Sequence, residues 1–263
     1  MLPDMYTYGS GRSAKGIELM IRTLRRTVLL AAAAFAPVAA AQDCITPSPL
    51  DYLRGYYATA AWEGPAATTC ALRVSLINGG RPPQTGFASA TFSTALPRVR
   101  LRFHVDASAL TGMNVTQTVM LLNLVAAETP SLPGTSEKTS SLARVALYGN
   151  LAGTTRYLGL AAGNESTEEG ISRGSLSTLP GQFDLGIEVV TGLSGTVKLW
   201  IDSDFDAAPT MVLPVSNTAW TGVSGIAVGL LDPSPNFATA QAGRDVVISN
   251  FALYETLFGN GFE

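Results

Sequence analysis

Charge is scarce in this 263-residue chain: Asp, Glu, Lys and Arg make up 14% of it, and histidine occurs once, at His104. So few cations exclude the broad positive footprint that nucleic-acid binding needs. Beyond the first 41 residues the one basic cluster is Arg98, Arg100 and Arg102, which alternate along one predicted strand. A single histidine must serve every general-base proposal, and no strand-to-helix nucleophile elbow accompanies it, which argues against a serine triad. No glycine-rich loop follows a strand and opens a helix, so a nucleotide-phosphate cradle is excluded as well. Long helical periodicity is also missing, and with it any strand–helix–strand unit. Cysteine is limited to Cys44 and Cys70, which without a nearby histidine make a poor zinc site.

What is abundant is apolar and turn-forming. Hydrophobic residues reach 46%, with 26 glycines and 15 prolines, enough to build a sizeable core from short strands joined by turns. The first 41 residues hold Arg12, Lys15, Arg22, Arg25 and Arg26 against Asp4 and Glu18, which leaves 12 basic and 18 acidic residues in the remainder. Residues 21–27 read Ile-Arg-Thr-Leu-Arg-Arg-Thr, followed by the apolar run 28–41 that ends in Ala-x-Ala at Ala39 and Ala41. That order of positive charge, short hydrophobe and small-residue cleavage site predicts an export signal over 20–41, with 1–19 as an upstream extension. A buried or membrane-anchoring helix is the alternative, but the run is short for a bilayer span. No later stretch is long and apolar enough to form a transmembrane helix. The expected location is periplasm, cell surface or medium. In an oxidising compartment Cys44 and Cys70 are expected to pair, a bond worth roughly 3–4 kcal/mol in chain-entropy terms; two buried thiols are the alternative.

After the signal the pattern becomes one of short alternating runs. Val99, Leu101, Phe103 and Val105 share one face of a strand, and Arg100, Arg102, His104 and Asp106 the other. Further strands are predicted at 72–77, 118–125, 142–147, 157–160, 181–190, 196–202, 223–231 and 245–255, the last with an irregularity near Ser249-Asn250. Asn78-Gly79 marks a turn, and 128–141 reads as a surface loop. The fold expected is an all-β antiparallel sandwich, one domain over 42–256, with 257–263 as a short tail that is either a sorting or docking tag or a frayed end.

Three runs resemble the concanavalin A-like lectin/glucanase superfamily, and within it the laminin-G-like jelly rolls of secreted bacterial proteins. They are Arg-Val-Arg-Leu-Arg-Phe-His-Val-Asp at 98–106, Gly-Thr-Val-Lys-Leu-Trp-Ile-Asp at 195–202 and Asp-Val-Val-Ile-Ser-Asn-Phe-Ala-Leu-Tyr-Glu at 245–255. The departures matter as much. The glucanase Glu-x-Asp-x-x-Glu pattern is incomplete at Asp184 and Glu188, and the Arg-rich, Gln-x-His and Tyr-Lys-x-Gly segments of the superfamily's alginate lyases form no complete set.

The resemblance therefore implies a non-catalytic secreted or envelope protein that binds a glycan or an envelope protein. Its candidate ligand residues are Arg102, His104, Trp200 and Asp202; for Trp200 the alternative is packing beneath a loop. Asp202, Asp204 and Asp206 form a candidate Ca²⁺ site by residue type, set against a solvated turn. Two other readings stand beside this one. A polysaccharide-degrading enzyme would need two converging carboxylates among Asp106, Asp184, Glu188 and Asp202; a structural envelope component would have no ligand.

Overall fold

Period-two alternation dictates the architecture, because each strand has one apolar face to hide and the two sets of faces meet. The structure, a computed structural model, describes residues 44–79, 83–126, 141–153, 155–163, 171–176, 179–217 and 222–254. The export segment, most of the 128–141 stretch and the C-terminal tail lie outside the described residues. The chain divides into two units, 1–41 and 42–263, and only the second contains described residues.

Among the described residues fourteen strands follow one another: β1 (Tyr52–Tyr56), β2 (Ala58–Glu63), β3 (Ala71–Leu76), β4 (Thr85–Leu96), β5 (Arg98–Asp106), β6 (Thr118–Ala126), β7 (Ser141–Gly149), β8 (Arg156–Gly163), β9 (Ile171–Leu176), β10 (Gln182–Val190), β11 (Gly192–Ile201), β12 (Met211–Asn217), β13 (Val223–Leu231) and β14 (Asp245–Tyr254). A short helix, α1 (Pro235–Ala240), precedes β14 and is capped by the Ser234 side chain, which accepts from the Phe237 amide. One sheet has the order β1-β4-β13-β6-β7-β8-β9 and the other β12-β11-β10-β5-β14-β3-β2, with every pairing antiparallel. This is the expected two-sheet sandwich.

Between the sheets lies one core. Val99, Leu101, Phe103 and Val105 from β5 and Leu185, Ile187 and Val189 from β10 have no exposed surface, and they meet Leu121, Leu122, Val145, Leu147 and Leu158 from the opposite sheet. All the strands expected from alternation are present. The sequence reading missed β2, β4 and β9, whose Gly, Ser, Ala and Thr content gives a weak apolar rhythm, and β1 and β12, which are short and interrupted by Gly55 and Pro214. Gly79 closes the Asn-Gly turn at φ +68°. The irregularity in β14 is a register shift between Ser249 and Ala252, with Asn250 at φ +53°. Cys44 and Cys70 form a disulfide with 5.1 Å between Cα atoms, and a backbone bridge between Ile45 and Thr69 runs beside it.

Candidate functional site

Each sheet has an outer face, and the two differ in chemistry. On the second sheet β5 and β10 pair so that Arg100 lies opposite Glu188, Arg102 opposite Gly186 and His104 opposite Asp184. One strand further, Lys198 stands opposite Glu188 and Trp200 opposite Gly186. This is the face on which the sequence placed its candidate site.

The structure brings those residues together but satisfies them from within. Glu188 has a side chain 1% exposed, and Arg98, Arg100 and Lys198 converge on it. Burial opposes its ionisation, but the guanidinium hydrogen bonds of Arg98 and Arg100 outweigh burial and hold the carboxyl below its ordinary value. Arg102 pairs with Asp204 and, at 3.2 Å, with Asp184. His104 Nδ1 lies 2.9 Å from Asp184 Oδ1. Asp202 Oδ1 accepts from the Asp184 amide. Asp106 accepts from the Ser108 hydroxyl and amide and from Gln182, and the Ser108 bonds lower its pKa.

Over this network the loop after β11 folds back. Phe205 meets the rings of Trp200 and Tyr254 edge-on at 5.0 and 5.7 Å, with the Arg100 guanidinium 4.7 Å from its centroid. Trp200 is only 3% exposed, and its Nε1 donates to the Ala207 carbonyl. The residue singled out as a sugar platform is thus roofed by Phe205. Asp204 is held by Arg102, and among the described residues no three His, Cys, Asp or Glu side chains converge as a metal set.

The outer face of the first sheet carries a depression instead, among the described residues. Registers across β6, β7 and β8 place three rows side by side: Thr118, Tyr148 and Tyr157; then Met120, Ala146 and Gly159; then Asn123, Arg144 and Ala161. Small residues in the middle row leave a depression of about 540 Å³, lined by Arg144, Tyr148, Met120, Gly159 and, from the turn after β13, Asp232. Tyr148 forms one wall, with the Tyr157 ring stacked against it at 5.4 Å and 11°. Gly159 makes room for it, because a Cβ there would stand 3.1 Å from the Tyr148 ring. Arg144 lies four residues along β7 from Tyr148, about 13 Å at the strand rise, a span suited to a sugar ring and its substituents.

With both faces described, the architecture can be compared with solved structures. No family model and no curated protein matches this sequence. An endo-beta-1,4-glucuronan lyase from the fungus Trichoderma reesei superposes with TM-score 0.52 and 13% identity, over 82% of this chain and 94% of that one. The alginate lyase Aly36B, solved with an alginate trisaccharide, gives TM-score 0.50 and 12% identity over 71% and 82%. The fold is concanavalin A-like. The likeness is to polysaccharide lyases, not to laminin-G-like domains in particular. Both of these structures are of polysaccharide lyases, which runs against the expectation of a non-catalytic, lectin-like protein, and the polar face on which that expectation rested is closed by its own ion pairs.

Tyr148, Arg144 and Asp232 escaped sequence reasoning because each is an isolated polar residue on a different row or turn. The alternation of β7 was the available signal, since it sends Arg144, Ala146 and Tyr148 to one side. A Gly-x-Ser-x-Gly run does occur at 170–174, but its Ser172 sits inside β9 and not at a strand-to-helix elbow.

Proposed function

We propose that this protein is an exported enzyme that degrades an acidic polysaccharide by elimination, at the depression on the outer face of β6–β8. The single observation that carries the reading is the lining of that cavity: one guanidinium, one phenol and one carboxylate around a floor of small side chains. Hydrolysis by a carboxylate pair fits less well, because Asp232 is the only acid among the described lining residues.

Elimination from a uronate has three requirements, and this lining offers a group for each. Arg144 binds the sugar carboxylate bidentately and neutralises it, which acidifies the adjacent C–H. The Asp232 carboxylate accepts that proton. As the carbon–carbon double bond forms, the glycosidic C–O bond breaks, and the Tyr148 hydroxyl donates its proton to the departing oxygen. The lyase folds that this chain resembles agree with such a substrate class. Export through residues 20–41 would deliver the enzyme to extracellular polymers, and a disulfide suits that compartment.

The test is incubation with glucuronan and alginate, following the ultraviolet absorbance of the unsaturated product. Wild-type protein is expected to produce it. Tyr148→Phe and Arg144→Ala should each lower kcat/KM about 10²–10⁴-fold with unchanged circular dichroism. No product from any acidic polymer would defeat the proposal.

A further inference from the structure

The row that carries Arg144 does not end at the depression. Pairing registers continue it across the sheet: Arg144 lies opposite Asn123, Asn123 opposite Ala227, Ala227 opposite Ser89, and Ser89 opposite Tyr52 on the edge strand β1. Four strand spacings separate Arg144 from Tyr52, about 19 Å, which is several sugar units. The two residues between Asn123 and Tyr52 are small, so no bulky side chain of this row obstructs the path.

At the far end of this row Tyr52 and Tyr56 are 52% and 43% exposed. Arg54 stands between them on the same face of β1, opposite Phe87 of β4. Exposed aromatic rings beside a guanidinium are suited to stacking on a sugar and pairing with its carboxylate.

We infer that β1 forms a second, distal binding site for the same polymer: a polyuronate chain crosses the strands from Arg144 to Arg54 and stacks on Tyr52. The inference rests on the polysaccharide reading above and adds a chain-length dependence to it. Residues on β1 lie far from the reacting bond, so they act on binding of long chains and not on the chemical step.

The double variant Tyr52→Ala/Arg54→Ser separates the possibilities, since both side chains are on an exposed edge and their loss leaves the core intact. With glucuronan or alginate polymer as substrate, KM is expected to rise about tenfold at unchanged kcat. With the corresponding trisaccharides, neither constant should move. Equal polymer KM for wild type and double variant overturns the distal site while leaving the polysaccharide reading in place. Absence of product from wild type with polymer and trisaccharide alike removes that reading and the distal site with it.

Discussion

Glu188 is the residue with the most demanding environment. Its side chain is withdrawn from water beneath three cations, with side-chain exposures of 25% for Arg98, 27% for Arg100 and 37% for Lys198. A carboxyl held below its ordinary value of 4.5 stabilises the fold fully above that value, and the contribution is lost as pH falls through the lower, folded-state value. Melting curves from pH 7 downward should therefore steepen in the acid range for wild type and flatten for Glu188→Gln. At pH 7 the variant removes the carboxylate these cations share and should lose about 1–3 kcal/mol of stability, a cost moderated because the cations themselves reach solvent. Equal stability of the two proteins at pH 7 would contradict this account. The Arg98–Arg100–Arg102 alternation was legible in the sequence, as was Glu188 on the outward side of its strand. Their convergence was not, because it depends on β10 pairing with β5 in one register out of many.

At the scale of elements, the loop between β11 and β12 decides which face is available. Phe205 fills the space above Gly186, where even a Cβ would come within 3.0 Å of the ring, and it covers Trp200. Phe205→Ala is expected to cost about 2 kcal/mol through lost packing and ring contacts, and to shift Trp200 fluorescence toward that of a solvated indole. Turnover of polysaccharide should stay at the wild-type level, since the loop lies on the sheet opposite the depression. Loss of turnover would instead move the site to the second sheet. Here the sequence was informative about direction and silent about cover. Alternation correctly put Trp200 on the side away from Val197 and Leu199, but whether a ring on that side meets water depends on where an irregular loop returns. On the first sheet the same limit worked the other way. Tyr148 and Arg144 looked unremarkable as single residues, and only the small Ala146 and Gly159 between their rows turn them into a cavity.

For the whole molecule, the Cys44–Cys70 bond joins the segment before β1 to the start of β3, with a sequence separation of 26. Reduction should lower stability by about 3–4 kcal/mol on the chain-entropy account, read as a lower melting temperature in reductant than in its absence. An unchanged melting temperature with both thiols demonstrably free would show that the native contacts alone set the stability. The all-β class, the positions of the main strands and the pairing of two cysteines were determined by the sequence itself, through period-two alternation, turn residues at their ends and the arithmetic of two thiols. These are local or combinatorial properties, and they survive without knowledge of neighbours. Only the tertiary structure decided which of two outer faces carries a depression among the described residues. That choice depends on strand order and register, which set residues far apart in sequence side by side: Arg102 against Asp184, Asn123 against Arg144, Ser89 against Tyr52. A polar residue on a strand becomes an ion-pair partner or the wall of a cavity according to what packs beside it.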